Sequence, residues 1–590
     1  MRLPVPTCHR PSLCCGHQDG QRHNDTTWLA NTLFPYHLKV CKKQPGGHLP
    51  ISFHRYGAME EWLLSLCFIA LSTATVLAFW FLKLSGGKAD AYKKQLPPGP
   101  WTLPVIGSLH HVISALPHRT MMQLSRRQGP LMLLRLGEVP TVVVSSAEAA
   151  ALVMKTHDLV FVDRPRSPTM DIASSGGKDI VFDPYGDHWR QMRKICVVQL
   201  LSSTQVSRME GVRAEEVGSL LRDITAAAST GATINVSEKV MALTNDIVTR
   251  AVFGGKFARQ CEFLREMDKA FKLVGGFCLA DLFSSSRLVR WLSNGERDMK
   301  RCHGLIHHII AEVVENRKAA RASGVGRSIP GEEDMLDVLL TLQEDDSLEF
   351  PLTTETMGAV LHDPITSRIA RQSSCRVTLL RTYLQGLRRP QGTLWHGSYQ
   401  SLCTTLTLAK AQHEVRDVLG EGRSVITNGD LGELHYMPMI LKEALRLHPP
   451  GPLIPRMARE DCTVMGYDIP KGTNVYINIF AISRDPRYWI NPEEFMPERF
   501  ENNNVNYKGT CFEFIPFGAG RRQCPGIQFS SSITEMALAN LLYHFDWMLP
   551  DGANLASFDM SEKFGFAVSK KYDLKLRAIP HVWSNAMTLK

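Results

Sequence analysis

Residues 514–529 read FIPFGAGRRQCPGIQF and place one cysteine, Cys524, among glycines and arginines. Glycine permits backbone conformations and close approaches that a side chain would prevent. Guanidinium groups pair well with carboxylates, and cations beside a cysteine favour its thiolate form. A thiolate next to cations, on a loop that can lie close to a flat group, predicts a site for a metal-bearing ligand with acidic substituents.

Five residue types in this loop follow the pattern FxxGxRxCxG. They are Phe517, Gly520, Arg522, Cys524 and Gly526. At background residue frequencies the pattern arises by chance in roughly 10⁻⁴ of chains. A structural turn around a buried cysteine is the alternative interpretation, and a phosphate-binding loop is excluded because the chain has no GxxxxGK[ST]. Haem iron with its propionates suits the loop, with Cys524 as the metal ligand and catalytic sulfur.

The cysteine loop resembles the signature of the cytochrome P-450 family, and further motifs follow that family's order. Trp189 and Arg193 lie about one helical turn apart in YGDHWRQMRK and therefore share a helix face. The resemblance implies that both reach a haem propionate, and that Arg456, which ends PPGPLIPR, is a further propionate-binding residue. It also implies that the residues of the FxxGxRxCxG pattern bind haem b.

An acidic residue and two arginines make a second set of family motifs. Glu443 and Arg446 are three positions apart in KEALRLHPPGP, so a helix presents them on one face. Taken alone, such a pair is usually exposed and contributes little to stability. The resemblance implies that Arg499 of FMPERF joins them in a buried triad. We assign this triad to fold stability and haem loading rather than to chemistry.

One part of the family's pattern is absent. The resemblance implies a long central helix with a small-Gly-x-acid-Thr stretch, which leaves room for oxygen and relays protons. Residues 351–363 lead into that helix, but residues 364–408 begin with a proline, carry six arginines without one acid and show no helical period. An amphipathic helix, AKAQHEVRDVL, resumes at residue 409. Thr404 and Thr405 are candidate remnants of the helix, but no acid–Thr pair accompanies them, so we name no proton-relay residue.

The atypical segment 364–408 leaves two interpretations open. A splice or exon error explains it best, and a genuine insertion with loss of the motif is the alternative. The resemblance to the family covers residues 60–363 and 409–580. Within the family, sequence segments such as LPPGPWTLPVIGSLHH resemble those of plant microsomal members that oxygenate terpenoids and related specialised metabolites.

Charge and cysteine usage exclude other classes of protein. The 590 residues carry a formal charge of +9, but residues 1–58 contribute +5 and residues 364–408 contribute +6, so the remainder is close to neutral. No nucleic-acid-binding patch is therefore expected. The 14 cysteines include no CxxC pair, which argues against a disulfide framework and against a thiolate zinc site.

A membrane anchor is predicted near the start of the chain. Residues 62–82 form 21 consecutive uncharged positions, and about 20 apolar residues span a bilayer as a helix. A buried core helix and a signal peptide are the alternatives. Two glutamates precede the segment and four lysines follow it, so the positive-inside rule places the following domain in the cytosol. We therefore expect a single-pass protein of the endoplasmic reticulum membrane, in contact with membrane lipid.

The predicted fold is mainly α with a small β region, the cytochrome P-450 fold, behind one N-terminal transmembrane helix. Residues 1–58 lack helical or strand periodicity and are expected to be an unstructured or artefactual extension before Met59. Lysines and prolines between anchor and domain predict a stiff hinge. The predicted parts are an extension at 1–58, an anchor at 59–84, a hinge at 85–100, and a haem-thiolate domain at 101–590 with an aberrant segment at 364–408.

Substrate contacts are expected from apolar segments, since a hydrophobic small molecule suits an apolar pocket. Ordinary core packing is the alternative for any one residue. The candidate segments are SPTMDIASSGGKDIVF (167–182), Gly275–Phe283, Leu453–Ile454 and Phe564–Ala567.

The function expected from this resemblance is hydroxylation of a hydrophobic small molecule with O₂. Electrons would come from NADPH through NADPH-cytochrome P-450 reductase. Two alternatives follow from the missing acid–Thr pair. One is a thiolate-haem isomerase or dehydratase, and the other is an inert relic or a mispredicted product.

Overall fold

The computed structural model describes residues 65–76, 95–113, 116–275, 278–324, 333–345, 348–361, 397–550 (side chains from 407), 559, 561–563, 565 and 567–583. The chain divides into two units, Met1–Tyr92 and Lys93–Lys590. Within the first unit, residues 65–76 are helical. The elements named below all belong to the second unit.

Helices dominate the second unit, and several begin at a side chain that accepts a backbone N–H. Ser146, Ser167 and Asp334 act in this way, and each satisfies a donor that the first helical turn leaves unpaired. The helices are α1 (Leu109–Val112), α2 (Pro117–Gln128), α3 (Ala147–Ala151), α4 (Pro168–Ala173), α5 (Asp187–Lys194), α6 (Ser203–Arg208), α7 (Glu210–Ser229), α8 (Val236–Phe253), α9 (Gln260–Leu273), α10 (Leu279–Leu282), α11 (Arg287–Leu292), α12 (Gly295–Ala322), α13 (Met335–Glu344), α14 (354–361), α15 (Gly397–Leu419), α16 (Asn428–Leu431), α17 (Tyr436–Leu447), α18 (Ile479–Ile482) and α19 (Ile527–His544). Two π-helical turns, Leu152–Thr156 and Ile195–Leu200, continue α3 and α5, and short 3₁₀ turns occur at Pro497–Phe500 and Gly520–Arg522.

The strands are short and form small sheets. They are β1 (Leu131–Leu136), β2 (Val139–Val144), β3 (Ile234–Asn235), β4 (Leu453–Met457), β5 (Cys462–Val464), β6 (Tyr467–Ile469), β7 (Asn474–Asn478), β8 (Phe545–Met548), β9 (Glu562–Lys563), β10 (Ser569–Lys570) and β11 (Lys575–Pro580). The largest sheet has the order β1-β2-β7-β4, in which only the β2–β7 pair is parallel. A three-stranded sheet has the order β3-β11-β8, and β5–β6 and β9–β10 form antiparallel pairs.

Two apolar cores position the cysteine loop. The larger core joins helices α7, α8, α9, α12, α13 and α19. The second core lies on the β1-β2-β7-β4 sheet and buries Ile515 and Ala519, which precede Cys524. Because the burial of one such aliphatic side chain contributes about 2 kcal/mol, this core holds the loop against the sheet. The predicted mainly helical fold with a small β region is confirmed.

The described residues include only part of the predicted membrane anchor. Residues 65–76 lie inside the predicted span 62–82 and are helical, whereas residues 62–64 and 77–82 lie outside the described residues. In the described part of the chain, no helix is both long and apolar enough to cross a bilayer. The extension at 1–58 also lies outside the described residues, and the domain boundaries stay predictions.

The end of the predicted hinge is fastened to the domain. The carbonyl of Pro98 accepts a hydrogen bond from Leu133 N at 2.8 Å, and Gln95 exchanges hydrogen bonds with Asp468. A Cβ at Gly99 would collide with the Leu133 carbonyl, so glycine permits this close approach. Residues 85–94 lie outside the described residues.

The helix expected to resume at residue 409 begins earlier, at Gly397. Once a helix is nucleated, each added residue gains one hydrogen bond, so an amphipathic segment can extend the helix upstream into sequence without a helical period. Thr404 and Thr405 belong to this helix, and their side chains lie outside the described residues, as do residues 362–396.

Candidate haem site

The cysteine loop is closed by its own backbone. Cys524 N donates to the Phe517 carbonyl at 3.1 Å, and Gln523 N donates to the Gly520 carbonyl at 3.0 Å. Gly518 and Gly520 have φ angles of 73° and 69°, in the left-handed region that favours glycine. The loop conformation therefore favours glycine at positions 518 and 520.

A different reason applies to Gly526, which was expected to supply conformational freedom. Its φ angle is −101°, a value open to any residue, and it precedes the first turn of α19. The glycine lies buried at this position. Its place in the loop therefore does not depend on a left-handed conformation.

The loop rests on the turn that follows α3. A Cβ at Gly520 would collide with the Met154 carbonyl and with the carboxylate of Asp158. Asp158 accepts a hydrogen bond from Arg521 N at 3.2 Å and an ion pair from its guanidinium at 2.7 Å. Arg521 therefore braces the loop. Sequence reasoning missed Asp158, because nothing in its neighbourhood resembles a motif.

Aromatic rings support the loop from the other side. Phe517 meets Tyr507 at a ring-centroid distance of 5.5 Å. Phe514, fully buried, lies 6.2 Å from Trp489 and 5.3 Å from Phe500. Edge-on and tilted ring contacts at these distances are favourable beyond the area they bury. They connect the cysteine loop to the segment that carries Trp489.

The structure brings the three residues of the predicted triad together. Arg446 Nε and Nη2 donate to the two carboxylate oxygens of Glu443 at 2.7 and 2.8 Å, and Arg499 Nε donates at 3.1 Å. Glu443 and Arg446 are both 0% exposed. Met496 N also donates to the Glu443 carboxylate, at 2.8 Å. Buried charges of this kind are stable only when they are paired in this way.

Guanidinium groups of the triad also hold the backbone. Arg446 Nη1 donates to the carbonyls of Ser483 and Pro492 at 2.7 and 2.8 Å. The two guanidinium groups, of Arg446 and Arg499, lie 5.1 and 5.9 Å from the Trp489 ring. The triad therefore fixes the segment on which the aromatic rings under the cysteine loop depend.

Four arginines converge on the opposite side of the loop: Arg164, Arg193, Arg456 and Arg522. Burial lowers the pKa of each. For Arg164, Arg456 and Arg522, a neighbouring arginine of the set lowers the pKa further, because like charges in a buried place oppose ionisation. Burial and Arg522 lower the pKa of Arg456 to about 9. This arginine cluster is a concentration of buried positive charge.

Arg522 uses three of its five N–H groups on the protein backbone. Its nitrogens donate to the carbonyls of Val162 at 2.9 Å, Ile180 at 3.1 Å, and Asp183. Its guanidinium also lies 4.3 Å from the Trp189 ring centroid, and Trp189 Nε1 donates to Ile180 at 3.0 Å. Two N–H groups remain on Arg522 for another acceptor.

Arg193 and Arg456 retain more free donors. Arg193 Nη2 donates to the Gln523 carbonyl at 2.5 Å, beside the cysteine. Arg456 is 1% exposed and donates from Nη1 to Pro455 at 3.1 Å, while its Nη2 is buried without a hydrogen-bond partner. An unpaired buried guanidinium nitrogen is costly, so this geometry calls for an acceptor.

Sequence reasoning missed Arg164 as a member of the cluster. It follows Asp163 in the DRP turn that marks the start of a predicted substrate segment. Arg164 Nε donates to Val181 at 3.2 Å, and Nη1 donates to the Pro455 carbonyl. The local sequence around Arg164 does not indicate this role, because the carbonyls that accept its hydrogen bonds belong to other segments of the chain.

Two buried carboxyl groups accompany the arginines. Asp179 accepts a hydrogen bond from Phe182 N at 2.7 Å, and Asp183 pairs with His188 at 2.8 Å. Burial, with the nearby Asp183, raises the pKa of Asp179 to about 7.

Asp158 and Asp163 also act on the cluster, but Asp158 pairs with Arg521 and Asp163 pairs with Arg459, both outside it. The ionised carboxyls that remain for the cluster are therefore fewer than its arginines, and the cluster suits a ligand that brings two carboxylates. Together with the half-buried sulfur of Cys524, which is in no disulfide, this donor set fits haem.

The fold and this site define a helical haem-thiolate protein, and comparison with known proteins gives its family. The family description "Cytochrome P450" matches residues 97–363 and 407–576. The chain belongs to the cytochrome P450 family. It is a P450 monooxygenase with haem iron as its cofactor.

Plant relatives match over nearly their whole length. Zealexin A1 synthase of Zea mays is 42% identical over 518 residues, covering 87% of this chain and 98% of the relative. Ent-isokaurene C2/C3-hydroxylase of Oryza sativa subsp. japonica is 42% identical over 535 residues, covering 89% and 99%. Premnaspirodiene oxygenase of Hyoscyamus muticus is 39% identical over 515 residues, covering 87% and 98%.

A solved structure shows the same fold. A zebrafish cytochrome P450 with abiraterone superposes with a TM-score of 0.63 at 24% identity, covering 80% of this chain and all of that one. At this identity the likeness speaks for the fold alone.

Replacement of Glu443 by Gln is expected to lower the free energy of unfolding by about 3–5 kcal/mol, because two buried guanidinium groups lose their counter-ion. Denaturant unfolding of the purified protein measures the change. Glu433→Gln, an exposed glutamate before the same helix, is the matched control. A loss of no more than about 1 kcal/mol in Glu443→Gln, the size of an exposed pair, would contradict the buried-triad interpretation.

Asp179→Asn keeps an oxygen to accept the Phe182 N–H but cannot ionise. Because the pKa of Asp179 in the folded chain is raised to about 7, its stabilising contribution is present at pH 4 and is lost as the pH rises through 7. The variant should therefore gain stability relative to the parent protein as the pH rises from 4 to 7, in thermal unfolding. Asp223→Asn, at an exposed ion pair, should show no such trend. Parallel pH profiles for Asp179→Asn and the parent would refute this assignment.

Proposed function

We propose that the protein hydroxylates a hydrophobic small molecule, a terpenoid or a related plant specialised metabolite. It would use O₂ and electrons that pass from NADPH through NADPH-cytochrome P450 reductase. The names of the similar plant proteins, a zealexin synthase, an isokaurene hydroxylase and a premnaspirodiene oxygenase, support this substrate class. The cysteine loop beside the arginine cluster is the observation that carries the proposal.

Each residue of the site has a role in this proposal. Cys524 binds the iron as thiolate, and the closed loop with Gly520 keeps its sulfur in place. The arginine cluster holds the two propionates, with Arg456 offering its unpaired nitrogen. Trp189 and Phe517 pack around these groups and exclude water. Haem, held in this way, would supply an iron centre for oxygen chemistry, and the Cys524 thiolate would tune it by donating electron density.

The substrate side of the proposed site is apolar. Ile454 of β4 would lie 3.2 Å from a Cβ at Gly518, so this strand passes beside the cysteine loop. Segment 167–182 and helix α10, two further candidate segments, contact each other through Thr169 and Asp281. Of the candidate segment at 564–567, residues 565 and 567 are described. A pocket with such walls suits a hydrophobic molecule.

Membrane attachment belongs to the same proposal. The uncharged stretch at 62–82 would anchor the protein in the endoplasmic reticulum membrane by a single pass, with the haem domain in the cytosol. Its charge asymmetry and the hinge at 85–100 support this arrangement. Lipid would be a partner of the anchor, and the reductase a partner of the domain in the same membrane.

A second candidate function follows from the break in the family match between residues 363 and 407. If segment 364–408 replaces the oxygen-handling helix, a thiolate-haem isomerase or dehydratase, or an inert product, becomes the alternative. A chimera that carries the zealexin A1 synthase segment in place of residues 364–406 distinguishes these cases. We expect the chimera to gain NADPH-dependent O₂ uptake over the parent chain.

Equal NADPH-dependent O₂ uptake by parent and chimera would contradict the proposed replacement of the oxygen-handling helix. Turnover by the parent chain without NADPH would favour the isomerase or dehydratase. Sequencing of the transcript across codons 355–412 tests the splice interpretation directly. A transcript that encodes a small-Gly-x-acid-Thr stretch there would show that segment 364–408 is an error of assembly.

Cys524→Ser is expected to abolish the thiolate-type absorption of the reduced carbon-monoxide complex, because the proposed thiolate ligand is lost. Difference spectra of purified, haem-loaded protein measure the effect. Cys462→Ser on β5, another half-buried free cysteine, is the matched control and should keep the parent spectrum. An unchanged spectrum in Cys524→Ser would refute the assignment of the iron ligand.

A further inference from the structure

A buried carboxylate of the β9–β10 hairpin contacts the first turn of α2. The side chain of Glu562 on β9 is 7% exposed, and its Oε2 accepts a hydrogen bond from Arg119 Nη2 at 2.7 Å. Burial lowers the pKa of His118, beside Arg119 in the chain, to about 4, so this ring is neutral at pH 7. Arg119 therefore carries the positive charge that α2 presents to Glu562, and a buried carboxylate needs such a partner.

The other oxygen of this carboxylate faces the end of α17. His448, which follows α17, has its Nδ1 at 3.4 Å from Glu562 Oε1, and its buried ring nitrogens have no hydrogen-bond partner among the described residues. A cavity with room for about one water molecule is lined by His448, Glu562 and Phe480. A water there can join the His448 ring to the carboxylate.

Phe480 of α18 connects these groups to the rest of the unit. Its ring centroid lies 5.2 Å from the Arg119 guanidinium, 3.7 Å from the Arg484 guanidinium and 4.8 Å from the centre of the His118 ring. A guanidinium over an aromatic face is attracted by the ring. Arg484 Nη2 also donates to the carbonyl of Leu447, the last residue of α17, at 2.6 Å. The ion pair thus lies at a junction of α2, α17 and α18.

Two candidate substrate segments leave this junction. The turn Pro449–Pro452 precedes β4, which begins with one of them, and the β9–β10 hairpin contains residues 565 and 567 of the other. Val568 N donates to the Pro450 carbonyl at 2.9 Å and joins one arm of the hairpin to the turn. Glu562 attaches the opposite arm. Two attachments on opposite arms fix the direction in which the hairpin points.

We propose that Glu562 and Arg119 are positioning residues that hold the β9–β10 hairpin against the Pro449–Pro452 turn and thereby shape one wall of the substrate pocket. The inference rests on the proposed function, because it concerns the pocket of that same site. A wall that is ordered for only part of the time weakens the binding of any ligand that contacts it in proportion to that fraction. A ligand that reaches the hairpin should therefore depend on the ion pair, whereas a ligand bound at the iron alone should not.

Glu562→Gln removes the charge and keeps the size of the side chain. Imidazole and 1-benzylimidazole serve as small and bulky probes, and absorption titration of the haem-loaded protein measures the dissociation constant of each. We expect the constant for 1-benzylimidazole to rise about tenfold, the effect of one lost charge-assisted hydrogen bond, and that for imidazole to stay unchanged. Hydrogen exchange in the peptide that contains Val568 should become faster in the same variant.

Arg119→Gln removes the other half of the ion pair. Its side chain is 43% exposed, so this variant remains informative if Glu562→Gln fails to fold. It should show the same selective loss, and the double variant should be no weaker than either single variant, because two partners of one contact are not additive. Glu215→Gln, at an exposed ion pair with Arg250 between α7 and α8, is the control and should leave both constants and the exchange unchanged.

Four results would count against the inference. Unchanged binding of the bulky probe in both single variants would refute the positioning role while the proposed function stands. Equal weakening of both probes would place the effect at the haem instead of at the hairpin. Additive losses in the double variant would show that the two residues do not act as a pair. Failure of the parent protein to bind either probe at its iron would refute the proposed function together with this inference.

Discussion

The carboxylate of Glu443 receives hydrogen bonds from Arg446, Arg499 and the backbone, without contact with water. Its charge is what allows two guanidinium groups to remain buried, and these groups hold carbonyls and stack near Trp489. From Trp489 the contact continues through the aromatic rings to the loop that ends at Cys524. A single buried anion on the side of α17 thus determines how firmly the sulfur is placed.

The arginine cluster presents the opposite electrostatic problem. Its positive charges lie within one region, and burial lowers the pKa of every member. Of the nearby carboxyls, Asp158 and Asp163 pair with arginines outside the cluster, and the pKa of Asp179 is raised to about 7, so the cluster is neutralised only partly at neutral pH. In the proposed function, two propionates would complete the charge balance. The cofactor would then contribute to the stability of this part of the fold, and its loss should lower the stability as well as the haem absorption.

Local spacing made part of this site predictable. Glu443 and Arg446 could be placed on one face because a helix repeats every three to four residues, and the pattern around Cys524 is dense enough to indicate its chemistry. The contributions of Asp158, Arg164 and Asp179 could not be predicted in the same way. Their partners lie far away in the chain, as in the contact between Arg522 and Val162, 360 positions apart. Such contacts depend on how the sheet and helices pack, which no local pattern encodes.

Haem binding and oxygen handling have separate structural bases in this chain. The groups that hold Cys524 come from the turn after α3, from α5, from α17 and from the segments around Trp489 and Phe514. All of these segments lie outside residues 364–408. Among the described residues, none of the contacts named for the sulfur, the arginine cluster and the triad involves that segment. A chain that retains its haem can therefore still differ from its relatives in what it does with oxygen.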